Sequence, residues 1–413
     1  MSEESSSTPA IQSLSETPHS DWNPWSPEAT ADPFAAQAEL RSRCPVAYTS
    51  EKGGFWSITK YADVVEAATD VEHFKNGLRP VFALPAPPLE SDPPEHTWYR
   101  KLLQPFFTPS RMKVIEGQIR EFAVEILDPL IARGEADIAN EFSFLLPVRA
   151  FCFLLNLPGD DWPRIREWSK DAYSVFAKIP EMRARYDASN QAIYDYARGV
   201  LAERRVSPRD PEDDLMSCLI AARYNGEPLS DDMIVGAVRL LLTAGHESTA
   251  SSISNCILYL ARNPEAQAEL RSNPLGILTG AEEILRWESP IMGMPRVVAA
   301  EVEVGGHTFQ KDDYVYLLYA SANRDEEKFQ NADQCILSRK PNPHMVFGWG
   351  RHTCLGAPLA RVELLVALEE LLGRTESFSV SGEVERTIFH RRGVLSLPLR
   401  IAPRSQGFSP CGT

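Results

Sequence analysis

The chain has 413 residues, of which 43% are hydrophobic and 24% are charged, proportions that are ordinary for a globular protein. Its 42 Lys and Arg residues against 57 Asp and Glu residues give a net charge of −15, which argues against binding nucleic acid through clustered basic side chains. The sequence lacks both a long uninterrupted apolar run and the basic and apolar regions of a signal peptide. We therefore expect a cytoplasmic protein that does not interact with a membrane.

The sequence divides into a short N-terminal tail and one long domain. Residues 1–21 are rich in Ser, Thr and Glu and contain little that can be buried, so we predict a disordered N-terminal tail. Residues 22–413 show neither an internal repeat nor a Gly/Ser linker, which favours one large domain. Seven cysteines are scattered without a CxxC motif, which argues against a disulfide framework and a closed zinc site.

Helical patterns dominate the chain after about residue 110. Apolar residues recur every three or four positions in residues 110–133, 189–205 and 231–262. Short strand patterns occur at 54–59, 300–308, 314–318 and 394–401. The proline-rich segment 80–94 excludes a regular element there and predicts a long loop. We predict a mainly α fold with a small β-sheet at its flank.

The strongest functional motif begins at Phe347 and reads FGWGRHTCLG, followed by a helical run from Ala357. Its glycines allow the backbone to turn tightly beneath a flat ligand. Cys354 then lies just before a helix N-terminus, where backbone N–H groups favour the thiolate. A thiolate in this position is suited to bind the iron of a haem.

This segment resembles the haem-binding loop of the cytochrome P450 superfamily, FGxGx(H/R)xCxG, at every fixed position. The resemblance extends from about Trp22 to the C-terminus, in the short soluble form typical of bacteria. It implies the cytochrome P450 fold, haem b as cofactor and Cys354 as the axial ligand of the haem iron. The implied haem contacts in and near the loop include Phe347, Gly348, His352 and Gly356.

A second motif, Glu283 with Arg286, resembles the ExxR pair of this family. Residues three apart share a helix face, so the two side chains can pair there. In the family an Arg before the Cys loop completes the network, and Arg339 is the candidate here. The implied role of the three residues is structural, as a buried brace beside the haem.

The long helix predicted over 231–262 carries the sequence AGHEST, from Ala244 to Thr249. Ala244 and Gly245 are small enough for a flat ligand or dioxygen to approach closely. The resemblance places this helix over the distal haem face and makes Glu247 and the next hydroxyl a proton relay for cleavage of dioxygen. That hydroxyl is Ser248, where the family most often has Thr, and Thr249 follows. A serine lacks the β-branch and can turn to a helix carbonyl instead.

Four cationic positions match the family's partners for the two haem propionates. They are His96 and Arg100, one helical turn apart, together with Arg296 and His352.

The resemblance implies a monooxygenase that inserts one atom of dioxygen into an organic substrate. The chain carries neither a Rossmann motif nor an iron–sulfur motif, so electrons must come from separate proteins. Bacterial relatives generally use a ferredoxin and an NAD(P)H-dependent ferredoxin reductase. A basic patch for an acidic ferredoxin could comprise Arg111, Lys113, Arg351 and Arg361, although these could equally be ordinary solvated charges.

By family position, the substrate pocket draws on four parts of the chain and favours a small hydrophobic molecule. Its predicted lining residues are Phe82, Leu84, Leu240, Leu241, Ala244, Ile291, Met292, Met294 and Leu395. Arg79 and Arg239 could bind a substrate carboxylate, which suggests an aromatic or similar small acid. Alternatively, Arg239 pairs with an acidic side chain of a neighbouring helix and Arg79 points to water.

Three other functions are compatible with parts of this pattern. A peroxygenase or oxidative-coupling enzyme would share the haem-thiolate loop, but intact Glu247 and Ser248 favour the use of dioxygen. A catalytically silent haem-binding protein would share the fold. A thiol hydrolase is the weakest alternative, because no His is placed to activate Cys354. No coiled-coil heptads indicate an obligate oligomer, so we expect a monomer.

Overall fold

The computed structural model describes residues 22–76, 82–172 and 180–404. The predicted tail, residues 1–21, and Arg79 lie outside these ranges. The α-helices are α1 Pro27–Ala31, α2 Pro33–Arg43, α3 Tyr61–Thr69, α4 Glu95–Leu103, α5 Pro109–Arg133, α6 Leu145–Leu154, α7 Trp162–Ala172, α8 Pro180–Val206, α9 Leu215–Ala221, α10 Asp231–Arg262, α11 Pro264–Ser272, α12 Ile277–Glu288, α13 Tyr319–Ala322 and α14 Ala357–Arg374.

The strands are short and grouped in small sheets. They are β1 Val46–Thr49, β2 Phe55–Ile58, β3 Phe74–Lys75, β4 Glu135–Asp137, β5 Arg223–Tyr224, β6 Glu227–Pro228, β7 Met294–Val298, β8 Val302–Val304, β9 His307–Phe309, β10 Tyr314–Leu317, β11 Thr375–Val380, β12 Glu385–Arg386, β13 Val394–Ser396 and β14 Pro398–Pro403. The largest sheet has the order β1-β2-β10-β7-β3, in which only β2 and β10 run parallel. A three-stranded sheet has the order β11-β14-β4.

The central element is α10, whose 32 residues span about 48 Å at 1.5 Å per residue. Its N-terminus is capped by the Ser230 side chain, which accepts a hydrogen bond from the Met233 N–H at 3.3 Å. The helix ends at Arg262, just before Pro264, which cannot continue it. Most of its side chains are buried, and it packs against α6, α8, α12 and α14. This helix forms the centre of the hydrophobic core.

Helices α5 and α14 pack side by side, and α14 also packs against α10. The Thr108 side chain caps α5 by accepting from the Arg111 N–H, and Gly134 ends it in the left-handed conformation with φ +79°. Helix α14 begins at Ala357, three residues after Cys354. The large core cluster that includes these helices thus continues directly beneath the cysteine loop.

The mainly α fold class is confirmed, as are the predicted helices at 110–133 and 231–262 and the helical residues 189–205 inside α8. Residues 82–94 contain no regular element, as expected from their prolines. Two strand predictions were wrong. Residues 300–308 form a hairpin, β8 and β9, because Gly305 and Gly306 turn the chain with positive φ. Residues 394–401 divide between β13 and β14, which belong to different sheets.

Among the described helices, none combines the length and the apolar character needed to cross a membrane.

Candidate active site

The cysteine loop folds back on itself between β10 and α14. Gly348 and Gly350 have φ of +76° and +69°, a region that L side chains rarely adopt. A Cβ at Gly350 would also lie 2.8 Å from the Ala68 carbonyl oxygen. The Cys354 N–H donates to the Phe347 carbonyl at 2.7 Å and closes the loop. These glycines are therefore required by the turn that presents the thiol.

The Cys354 side chain is exposed, yet burial by the surrounding protein raises the pKa of its thiol. The N–H groups of Gly356 and Ala357 and the charges of Arg100 and Arg361 act in the opposite direction. The expected effect of the helix N-terminus is present, but desolvation outweighs it.

Helix α10 carries the residues predicted for the opposite face of the haem. Ala244 is exposed although it lies in the middle of a largely buried helix. A Cβ on Gly245 would lie 2.3 Å from Phe151 Cε2, so the absence of a side chain at this position makes room for α6.

The acid and the two hydroxyls predicted for proton transfer lie next along α10. Glu247 Oε2 accepts from Arg391 Nη1 at 2.9 Å. Burial raises the pKa of Glu247 to about 8, while the Arg391 charge and hydrogen bond lower it. Ser248 donates to the Ala244 carbonyl at 3.1 Å, and Thr249 donates to the Gly245 carbonyl at 3.2 Å.

The four cationic side chains predicted as propionate partners form a cluster beside the loop. The rings of His96 and His352 lie 4.1 Å apart, and Arg100 Nη1 donates to the Thr353 carbonyl at 2.7 Å. Burial lowers the pKa of His96 to about 4 and that of His352 to about 2. Arg100 lowers both values further, and Arg296 lowers that of His352.

Within the described residues, no ion pair links any of these four side chains to an acidic group. The Nδ1 atom of His96 is also buried without a hydrogen-bond partner. The low pKa values leave both histidines neutral near pH 7, so the positive charge of the cluster comes from Arg100 and Arg296, and an anion beside these guanidinium groups would be favourable. A flat group that carries two carboxylates and a metal with affinity for thiolate would satisfy the cluster and Cys354 together, so these residues fit a haem.

Comparison with known proteins decides the family. The family model described as cytochrome P450 matches residues 168–403. The mycinamicin IV hydroxylase/epoxidase of Micromonospora griseorubida is 36% identical, covering 77% of this chain and 81% of its own length. The vitamin D(3) 25-hydroxylase of Pseudonocardia autotrophica is 32% identical, and the match covers 91% of this chain and 95% of that protein. The solved structure of cytochrome P450 CYP109Q5 from Chondromyces apiculatus is 32% identical with a TM-score of 0.83, and the match covers 92% of this chain and 98% of that chain.

The chain belongs to the cytochrome P450 family. It has the cytochrome P450 fold, its cofactor is haem b, and it is a haem-thiolate monooxygenase that acts on an organic substrate with dioxygen and redox partners.

The ExxR residues of this cytochrome P450 meet in one buried network. Glu283 Oε2 pairs with Arg286 Nε at 2.8 Å, and Glu283 Oε1 pairs with Arg339 Nε at 2.9 Å. Arg286 also donates to the carbonyls of Asn323 and Ala332 at 2.7 and 2.9 Å. The network therefore joins α12 to the irregular segment that leads to the cysteine loop.

The first part of the predicted pocket packs around Arg239. The Arg239 guanidinium lies 4.0 Å from the Phe82 ring centroid, and it donates through Nη2 to Asn190 Oδ1. Within the described residues, no acidic side chain forms an ion pair with Arg239, and its Nε atom has no hydrogen-bond partner. The pairing with a neighbouring acid that we considered is therefore not formed. The Leu84 N–H donates to the Tyr194 hydroxyl at 3.4 Å.

The other predicted pocket residues divide between packed and more accessible positions. Leu240 is buried and Leu241 is half-buried. Met292 packs inside the cluster with Leu318 and Phe389 and is 1% exposed, so it does not line an open space. Ile291 and Met294 are half-buried, and Leu395 is exposed.

The four side chains considered for redox-partner binding have different surroundings. Arg111 pairs with Asp213 at 3.0 Å, and Arg361 pairs with Glu282 at 2.9 Å. Lys113 and Arg351 are exposed.

Sequence reasoning missed one residue of this site, Arg391. It stands next to Arg392, which instead pairs with Glu288 at 3.1 Å. Nothing in the order His-Arg-Arg-Gly indicates which arginine turns toward α10. Only the fold of residues 386–393 distinguishes the two.

Proposed function

We propose that Cys354 is the thiolate ligand of the haem iron and that Ala244 covers the opposite haem face. The observation that carries this proposal is the exposure of both side chains within otherwise buried surroundings. A metal ion deprotonates a coordinating thiol outright, and this reverses the effect of burial on Cys354. Phe347, Gly348 and Gly356 complete the surface of the loop beneath the haem.

His96, Arg100, Arg296 and His352 hold the two propionates in this proposal. Each propionate supplies the negative charge that the cluster lacks. The buried Nδ1 atom of His96 and the guanidinium groups then gain charge-assisted hydrogen bonds.

The bound haem supplies the activation of dioxygen, in which two electrons and two protons place one oxygen atom in a substrate C–H bond and release the other as water. The protein must deliver the protons and exclude bulk water from the distal side. Glu247 takes a proton from solvent at Oε and passes it on through the Ser248 hydroxyl. Thr249 can contribute only if its hydroxyl leaves the Gly245 carbonyl.

The substrate in this proposal is a small, mainly apolar molecule that carries a carboxylate. The carboxylate is supported by Arg239, a cation that is 3% exposed and has no acidic partner among the described residues. An unpaired buried guanidinium is costly, and a bidentate carboxylate would satisfy it. Phe82 and Asn190 must shift or remain as flanking contacts when the carboxylate binds.

Electrons come from a ferredoxin and its reductase in this proposal. The intact acid and hydroxyl on α10 favour dioxygen over peroxide as the oxidant. Lys113 and Arg351, exposed near the start of α5 and in the cysteine loop, are the candidate ferredoxin contacts. The monomeric state, the cytoplasmic location and the division into tail and domain stay predictions.

An optical titration of the ferric protein tests the substrate class. Aromatic acids are compared with their methyl esters, and the haem's shift from low to high spin is recorded for wild type and Arg239→Gln. We expect acids to shift the wild-type spectrum at lower concentration than esters, and the variant to lose this difference. Tighter binding of the esters by wild type would reject the carboxylate.

Normal haem binding by Cys354→Ser, with an unchanged Soret band, would reject the assignment of Cys354 as the ligand of the haem iron.

A further inference from the structure

Arg391 lies on the segment between β12 and β13, which is attached to a predicted pocket wall. Its backbone forms an isolated antiparallel bridge with Ile291. On one side of that bridge, the Met292 N–H donates to the His390 carbonyl at 3.1 Å. The Arg391 backbone is therefore attached to the pocket segment, and the next carbonyl, that of Arg392, accepts a hydrogen bond from Asn255 of α10 at 2.6 Å.

The Arg391 side chain reaches from this segment to the acid on α10. The 2.9 Å pair with Glu247 is only partly shielded, with side-chain exposures of 25% for Arg391 and 14% for Glu247. Burial raises the pKa of Glu247 to about 8, and Arg391 is the group that lowers it. The value of about 8 already includes the effect of Arg391, so the neutral acid is the favoured form of Glu247 near neutral pH, and Arg391 keeps the carboxylate within reach by lowering the pKa from a still higher value.

The other titratable groups beside the pair do not change charge near neutral pH. Burial lowers the pKa of His390 to about 3 and that of His246, which precedes Glu247, to about 4. Burial raises the pKa of Tyr316, which faces Arg391, well above its usual value. Around neutral pH, the charge of this site consequently depends on Glu247.

A carboxylate held by a guanidinium accepts hydrogen bonds and holds no proton to give. Glu247 must therefore gain a proton, loosen its hold on Arg391 and turn before it can donate. We propose that Arg391 is a positioning residue that sets the proton affinity and orientation of Glu247 and thereby controls proton delivery. This inference rests on the proposed role of Glu247 as the acid of the relay.

The first test compares pH profiles of NADH consumption in the reconstituted holoenzyme with ferredoxin and reductase. Removal of a nearby opposite charge raises the pKa of a carboxyl group by about 1 to 3 units. We therefore expect the alkaline limb of the profile to move upward by about one unit or more in Arg391→Gln, with more peroxide released per NADH. Arg391→Lys should restore most of the wild-type profile.

Arg392→Gln is the matched control, because it removes the adjacent arginine, which pairs with Glu288 instead. It should leave the profile in place. Equal shifts in Arg391→Gln and Arg392→Gln would overturn the inference. If Glu247→Gln alone leaves both the profile and the peroxide yield unchanged, the proposed role of Glu247 fails. If Glu247→Gln changes the profile or the peroxide yield but Arg391→Gln changes neither, only the inference about Arg391 is rejected.

The second test needs no turnover. The folded-state pKa of Glu247, about 8, lies above the ordinary glutamate value of 4.5, so the folded protein binds more protons between these values and loses stability as pH rises through them. Urea midpoints of the holoenzyme should continue to fall to a higher pH in Arg391→Gln than in wild type, because the folded-state pKa of Glu247 is higher in the variant. In a Glu247→Gln background, Arg391→Gln should add no pH dependence. An equal slope in both backgrounds would contradict a direct coupling of the two side chains.

Discussion

At the residue scale, the hydroxyl that follows Glu247 is held by the helix itself. Ser248 donates to the Ala244 carbonyl, four residues back, and Thr249 does the same toward Gly245. Such bonds compete with any other acceptor for the hydroxyl hydrogen. Ser248 can rotate away more freely than a threonine because its χ1 is not restricted by a β-branch. Proton delivery at this position is therefore possible but poorly oriented.

We predict that Ser248→Ala raises the amount of peroxide released per NADH consumed, and that Glu247→Gln raises it more. The alanine removes the hydroxyl but leaves Glu247 and nearby water to pass protons. Peroxide and product are measured together against NADH in the reconstituted system. Thr249→Val is the matched control, since it removes the neighbouring hydroxyl. If Thr249→Val uncouples turnover while Ser248→Ala does not, the relay passes through Thr249.

Single residues differ in how well the sequence could place them. Cys354 and the loop glycines lie within ten residues of one another, so local backbone geometry fixes their arrangement and a motif can describe it. The contact between Arg391 and Glu247 joins positions 144 apart in sequence. It depends on how residues 386–393 return to α10, and no local pattern encodes that path. Gly245 shows the same limit, because its neighbour Phe151 belongs to another helix.

At the scale of elements, the buried ion network holds α12 against the irregular segment 323–342. Glu283 is the only carboxylate that pairs with Arg286 or Arg339 among the described residues. Its Oε1 atom also accepts the Ile336 N–H at 2.8 Å. The carboxylate therefore fixes both side chains and backbone of a segment that has no regular structure of its own.

We predict that Glu283→Gln lowers the free energy of unfolding by about 3–5 kcal/mol, because it leaves buried guanidinium charge uncompensated. Glu125→Gln is the control, since Glu125 pairs with Arg149 at the surface and is 67% exposed. Its cost should stay within about 1 kcal/mol. Urea unfolding of the holoenzyme, followed by far-UV circular dichroism, measures both. Similar costs for the two variants would show that the Glu283 network does not stabilise the fold.

Elements were predicted best where their signal is long and local. The pattern over 231–262 matched α10 to the residue because capping residues and Pro264 mark its ends. Strands such as β1, β7 and β11 were not predicted from the sequence, because each is short and is stabilised by pairing with another strand. Gly305 and Gly306 signal a turn within residues 300–308, and both have positive φ in the hairpin.

At the scale of the whole molecule, a net charge of −15 must be reconciled with the proposed binding of an acidic ferredoxin. The positive charges that could attract it are few. Arg111 and Arg361 are already paired with Asp213 and Glu282. Lys113 and Arg351 remain exposed. A small number of charges can steer association within about 10 Å at moderate ionic strength, even on an acidic protein.

We predict that Arg351→Glu raises the KM for ferredoxin by roughly tenfold at low salt with little change in kcat, because charge complementarity acts mainly on the rate of encounter. The effect should shrink as salt is added, since screening weakens exposed charges first. Lys311→Glu changes the net charge by the same amount on the turn between β9 and β10 and serves as the control. NADH consumption at varied ferredoxin concentration measures both variants. Equal increases in KM would mean that net charge alone governs association. A selective effect of Arg351→Glu would locate electron entry beside the cysteine loop, which carries the proposed haem ligand Cys354.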